Sequence, residues 1–271
     1  MAKLNDFLKN LGKGEVLVPA LNKWFRQDFE GHPDIPLSIR VDKPGDDAFH
    51  PSSHAIGCQR LIYAGFDPTV ELEAKKFNPK VGINGHMWHG LIQHIVVELG
   101  YAQPEDIEAR RGVVGKPGAV LGWNYDVKPQ SDFATWWATG AIDIVNLTVP
   151  GYDEKFLVDI KTMNPSQFKM PKPSEFLWNK YVAQCQLYLD WADLETCILL
   201  GVEAGNPFNF KEIHIKRDRD HVEYIYNKWN NVAEALVNKV PPAHSCTDPD
   251  NCASVSIYGT EEESKSETTV S

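Results

Sequence analysis

Residues 140–163 read GAIDIVNLTVPGYDEKFLVDIKTM, and the organisation of the whole chain follows from them. Apolar and β-branched residues run from Ala134 to Val149, a turn sits at PGYDEK around Gly151, and a second run follows from Phe156 to Met163. Two such runs joined by a short glycine-containing turn predict a β-hairpin. In the second strand, alternation puts Asp159 and Lys161 on one face and Val158 and Ile160 on the other. In the first strand Asp143 lies between Ile142 and Ile144, an ionisable group inside an apolar run. A buried lone carboxylate costs several kcal/mol unless it is paired or binds a cation.

Helical periodicity surrounds this hairpin. VGINGHMWHGLIQHIVVELGY (81–101) repeats Met87, Trp88, Leu91, Ile92, Ile95, Val96 and Leu99 at helical spacing, with His86, His89 and Gln93 together on one polar flank. An amphipathic stretch runs from Leu17 to Phe29, and helices are also expected over HPSSHAIGCQRLIYAGF (50–66) with Gly65 as its stop, over Leu177–Ala192, and over His221–Val240 before Pro241-Pro242. Thr196–Val202 and Phe210–Ile215 read as strands. The order predicts an α/β (α+β) domain with a mixed central sheet flanked by helices over residues 46–258, an N-terminal extension over 1–45, and a polar, disordered tail over 259–271.

The 271 residues are 42% hydrophobic, enough for a buried core, and contain no run of eighteen apolar residues. The N-terminus MAKLNDFLKN lacks the apolar stretch of a signal peptide, so an intracellular, cytoplasmic protein without a membrane partner is expected. Five cysteines at 58, 185, 197, 246 and 252 are not a secreted disulfide framework and suit thiols or metal ligands. A formal net charge of −10 speaks against bulk coating of nucleic acid, although it leaves room for a local basic groove.

Two carboxylates on adjacent strands can converge on one hard divalent cation, with the carbonyl of Ile160 as a further oxygen ligand. Mg²⁺ or Mn²⁺ is the implied metal, and Lys161 would hold or deprotonate an attacking water. The tripeptide D-x-K is common, however, and taken alone it reads as a solvent-facing acid with an ion-pair partner.

In its context the chain resembles the PD-(D/E)XK superfamily, and within it the RecB-like exonucleases of CRISPR-associated and phage-encoded type. GAIDIV matches the G-h-h-D strand and VDIKT the (D/E)-h-K strand. The resemblance implies Asp143 and Asp159 as metal ligands and Lys161 as the catalytic lysine. The G-x-x-x-H helix is matched by Gly85 to His89, which assigns His89 a ligand role. The Q-x-x-x-Y helix is matched by Gln184 and Tyr188 in YVAQCQLYLDW (181–191), and CQRLIY supplies Cys58 and Arg60. The implied activity is hydrolysis of DNA, at ends or in single strands, during recombination, repair or phage replication, with proteins of those processes as possible partners. The alternatives are a non-cleaving module that binds DNA or a partner, and a structure-selective endonuclease.

Relatives in this family that carry an iron–sulfur cluster have one cysteine before the nuclease core and three after it, ending C-x-x-C-x5-C. Here Cys58 matches the first, and HSCTDPDNC (244–252) supplies Cys246 and Cys252, but the remaining position holds Ala243, with His244 beside it. Three cysteines and a histidine suit a structural zinc about as well as an iron–sulfur cluster. Lys169, Lys172 and Lys180, interleaved with Phe168, Phe176 and Trp178, form a basic-aromatic stretch that suits either a single-strand channel or a solvated loop. Trp136 and Trp137 read as core, and Cys185 and Cys197 as buried thiols.

Overall fold

The computed structural model describes residues 15–26, 48–70, 79–107, 123–124, 136, 138, 140–171, 174–206, 209–249 and 252–258. Lys172, Trp137 and the 259–271 tail lie outside them, as does most of the 1–45 extension.

In chain order the elements are helices α1 (Val18–Trp24), α2 (Pro51–His54), α3 (Gln59–Phe66) and α4 (Pro79–Glu98), then strands β1 (Trp123–Asn124), β2 (Ala141–Ile142), β3 (Ile144–Leu147) and β4 (Phe156–Met163). Helices α5 (Pro165–Lys169) and α6 (Glu175–Ala192), strands β5 (Thr196–Glu203) and β6 (Phe210–Lys216), and helices α7 (Arg219–Asn238) and α8 (Val255–Tyr258) follow, with a short 3-10 turn at Pro104–Asp106 between α4 and β1. They fall into two compact units, one holding α1, α4, β1–β6, α5 and α6, the other α2, α3, α7 and α8.

The first unit is built on a four-stranded mixed sheet of order β3-β4-β5-β6. β3 and β4 are antiparallel, as the hairpin reading expects, with Ile144 opposite Val158 and Leu147 opposite Phe156, and Gly151 takes φ +92° in the connecting turn. β4 and β5 are parallel, in register from Phe156 opposite Thr196 to Met163 opposite Glu203. A parallel pair requires a crossover, and α5 and α6 supply it. β6 returns antiparallel to β5.

Period-two alternation gives the sheet two different faces. Val158, Ile160, Ile198, Leu200 and Val202 join Ile92, Ile95 and Val96 of α4 and Leu17, Leu21 and Trp24 around α1 in one apolar core. Asp159 and Lys161 point to the opposite face, where α6 packs on β4 and β5. Of the apolar stripe read on α4, Met87 is half exposed, whereas Ile92, Ile95 and Val96 are fully buried.

The N-terminal segment is drawn into this core by a distant residue. Glu212 of β6 accepts the N–H groups of Val16, Leu17 (2.9 Å) and Val18 (3.1 Å), satisfying donors that the start of α1 leaves open. Helix α1 takes up Val18–Trp24 of the amphipathic stretch, of which residues 27–29 lie outside the described residues.

The second unit corrects one expectation. The single helix read over 50–66 is two, because Gly57 takes φ +99°, a conformation that stops α2 and sets Cys58 as the N-cap of α3. Gly65 does not stop α3, which runs on to Phe66. α7 starts at an Asp218 N-cap that accepts the His221 N–H at 3.2 Å and ends at Lys239 in the left-handed conformation. Its Trp229 stacks on Phe49 at 4.9 Å, and Trp136 packs edge-on to both rings, as a core residue should.

Candidate active site

Asp143 occupies the break between β2 and β3, where among the described residues no strand pairing reaches the neighbouring backbone of β4. Its carboxylate fills that role: Oδ2 accepts the N–H of Ile160 at 2.7 Å. The other oxygen, Oδ1, lies 3.0 Å from Nδ1 of His89. Gln93, one turn along α4, donates its amide to the Asp143 carbonyl at 3.0 Å. The polar flank of α4 thus meets this residue at both side chain and backbone, a role for Gln93 that its position beside His89 foreshadows. The N–H and C=O of one strand residue point to the same side, so the Ile160 carbonyl also faces the Asp143 edge of β4.

On the adjacent face Lys161 Nζ lies 3.0 Å from Oδ1 and 2.8 Å from Oδ2 of Asp159. Asp159 is 2% exposed and Asp143 6%. Asp159 Oδ2 is shielded from solvent and accepts no well-aligned hydrogen bond, so the Lys161 contact is electrostatic at that atom. Gln184 and Tyr188 of α6 are buried, and the Gln184 amide donates to the Tyr188 hydroxyl at 3.1 Å. Tyr181, on the same helical face three positions before Gln184, presents its ring to the Lys161 ammonium at 5.4 Å. The spacing 181, 184, 188 carried that signal in the sequence.

The charges are coupled. Burial opposes ionisation of Asp143, yet His89, Lys161 and the Ile160 N–H together hold its carboxyl down at about 2. Burial raises the carboxyl of Asp159, and the neighbouring Asp143 adds to the rise against the pull of Lys161. Burial disfavours the Lys161 ammonium, but the two carboxylates more than offset this and raise its pKa. Burial, with Asp159 nearby, raises the Tyr188 phenol. Two buried carboxylates that repel one another, an imidazole and a strand carbonyl are the donor types that a divalent cation such as Mg²⁺ or Mn²⁺ takes, but among the described residues only the cysteine–histidine group has its ligand atoms within 4.8 Å of one another.

Beside Lys161, Thr162, Met163, Asn164, Gln167, Leu177 and Tyr181 line a cavity of about 90 Å³. Within the basic-aromatic stretch Lys169 and Phe176 are exposed, while the Phe168 ring lies under the Lys211 ammonium at 5.2 Å. Cys185 and Cys197 are fully buried and hydrogen-bonded to each other, and burial pushes both thiols up.

In the second unit the structure brings together the four residues singled out for a second centre. The ligand atoms of Cys58, His244, Cys246 and Cys252 all lie within 4.8 Å of one another. Both Cys58 Sγ and Cys246 Sγ are 3.6 Å from His244 Nδ1. Arg60, whose partner in sequence is Cys58, stays buried with its guanidinium 5.6 Å from the Tyr258 ring.

No described protein family matches the chain, and no curated protein does. Solved structures with a similar fold include SSO0001, 12% identical over 94% of this chain and 95% of that one with a TM-score of 0.43. A phage-related exonuclease from Haemophilus somnus 129PT is 16% identical over 66% and 82% of the two chains, TM-score 0.39. The alkaline exonuclease LHK-Exo from Laribacter hongkongensis is 16% identical over 71% and 89%, TM-score 0.33. With scores below 0.5 these likenesses carry no argument about activity, which has to rest on the site itself. Among the described residues, no helix is long and apolar enough to cross a membrane.

Proposed function

We propose that this protein is a metal-dependent deoxyribonuclease of the PD-(D/E)XK type that hydrolyses phosphodiester bonds, acting from DNA ends or on single strands. The observation that carries the reading is a buried charge group on one hairpin, in which Asp143 meets His89 and the Ile160 N–H, Asp159 pairs with Lys161, and the two pairs lie in electrostatic reach of one another. Asp143, Asp159, His89 and the carbonyl of Ile160 would hold the Mg²⁺ or Mn²⁺. Bound there, the ion supplies Lewis-acid polarisation of a phosphoryl oxygen and lowers the pKa of a water.

The chain's own residues do the rest. Lys161, anchored by Asp159 and backed by the Tyr181 ring, offers its remaining N–H bonds to the attacking water and to charge developing on the phosphorus oxygens. Gln184 and Tyr188 support α6 against this face and fix the approach of the scissile strand.

End-labelled linear DNA and covalently closed circles, each incubated with Mg²⁺ and with Mn²⁺, test the proposal. Mononucleotide or short-oligonucleotide release from linear DNA, with circles left intact, is the expected result. Nicking of circles would replace the exonuclease with an endonuclease, and no hydrolysis of any DNA would overturn the reading.

A further inference from the structure

We propose that Cys58, His244, Cys246 and Cys252 form a mononuclear, tetrahedral zinc site that ties the start of α3 to the segment after α7. The geometry selects one ion over a cluster. Zinc takes thiolates at about 2.3 Å and imidazole nitrogen at about 2.0–2.1 Å, so tetrahedral angles put sulfur and nitrogen about 3.6 Å apart and two sulfurs about 3.8 Å apart. Both sulfur-to-Nδ1 distances here are 3.6 Å, and all four ligand atoms lie within 4.8 Å of one another. In an iron–sulfur cluster each thiolate binds a separate iron on the outside of an iron–sulfide core, which spreads the ligand sulfurs beyond this spacing. The ligand set agrees, because Cys₃His is a common structural zinc set whereas cluster irons are mostly held by cysteine thiolates.

The surroundings are built to hold thiolates in place. The backbone N–H groups of Arg60 and Ser245 point at Cys58 Sγ, and Ser254 Oγ donates to Cys252 Sγ at 3.2 Å. The segment carrying His244 and Cys246 is pinned to α3 by Gln59, whose N–H meets Ser245 Oγ at 2.9 Å and whose amide donates to the Ala243 carbonyl at 2.8 Å. Such second contacts fix ligand orientation before a metal arrives. Three thiolates and a neutral imidazole around Zn²⁺ leave one net negative charge. The ammonium of Lys228, 4% exposed and donating to the Ala55 carbonyl at 2.7 Å, stands in electrostatic reach of Cys58 to balance it. Binding releases the three thiol protons to solvent as the three metal–sulfur bonds form.

The test reads metal and stability, so it is independent of nuclease activity. Full-length protein isolated without oxygen is expected to be colourless, to contain about one zinc per chain and to lack acid-labile sulfide. Replacing zinc by Co²⁺ should give the intense visible bands of a tetrahedral thiolate site, and chelation should lower the thermal midpoint and expose three further alkylatable thiols. Cys246→Ser and Cys252→Ser should lose the zinc, His244→Cys should keep it, and Asp143→Asn should leave its stoichiometry unchanged. If the serine variants do not fold, the wild-type metal content, cobalt spectrum and thiol protection decide alone. Iron with sulfide, a disulfide among the three cysteines, or failure to bind either Zn²⁺ or Co²⁺ would each overturn the proposal.

Discussion

Asp143 accepts the backbone N–H of Ile160 at 2.7 Å, so one carboxylate both completes the β4 ladder and faces His89 with its second oxygen. Under the proposed function, structure and chemistry are joined in a single side chain, and substitutions there have to separate them.

Asparagine does so. Asp143→Asn keeps a carbonyl oxygen for the Ile160 N–H while removing the charge, whereas Asp143→Ala leaves a buried donor unsatisfied at a cost of about 1–3 kcal/mol. The alanine variant is expected to unfold at lower denaturant concentration than wild type and the asparagine variant close to it. Both should lose Mg²⁺-dependent hydrolysis of end-labelled DNA. Near-normal turnover in the asparagine variant would remove Asp143 from the site.

Lys161→Met keeps the length of the side chain and deletes its charge. Removing a group that stabilises transition-state charge lowers turnover by roughly 10²–10³. Metal binding by calorimetry should persist, since the ammonium that methionine replaces competes with a cation for Asp159. A variant that loses metal binding together with activity would make Lys161 a structural partner of the ligands.

Tyr188 and Gln184 are expected to position the substrate strand. Tyr188→Phe deletes the hydroxyl that the Gln184 amide meets at 3.1 Å without opening the cavity that alanine would leave. Metal affinity should match wild type, and turnover should fall by a smaller factor than in the Asp143 and Lys161 variants. Weakened metal binding measured by calorimetry would show that α6 contributes to the ligand shell.

Glu212 links pH to the anchoring of α1. Burial raises its carboxyl, but His214 and the N–H groups of Val16, Leu17 and Val18 outweigh that and hold the native pKa below its unfolded value. A depressed native pKa means the stabilisation is fully present above the unfolded value, about 4.3, and is lost as pH falls through the native one. The thermal midpoint of the wild type should fall steeply below about pH 5, and Glu212→Gln should start lower at neutral pH and fall less. Parallel pH curves for the two proteins would dissociate Glu212 from the acid transition.

Local pattern was enough for much of this protein. Alternation in FLVDIKTM set Asp159 and Lys161 on one face, the hairpin turn fixed the antiparallel pairing of β3 with β4, and helical spacing grouped His89 with Gln93 and Gln184 with Tyr188. These are short-range consequences of backbone periodicity, and each is complete within a few residues of chain.

Tertiary structure decided what periodicity cannot encode. The break that frees Asp143 to cap Ile160, the capture of α1 by Glu212 across 196 positions, and the left-handed Gly57 that turns one expected helix into two depend on which distant groups are left unsatisfied when the sheet forms. The cysteine cluster shows the division most clearly. The resemblance to cluster-bearing relatives nominated Cys58, His244, Cys246 and Cys252 but left zinc and iron–sulfur both open, because ligand identity alone does not fix ligand separation. Only folding, which brings Cys58 to 3.6 Å from a histidine 186 positions away, sets the spacing on which the choice of metal turns.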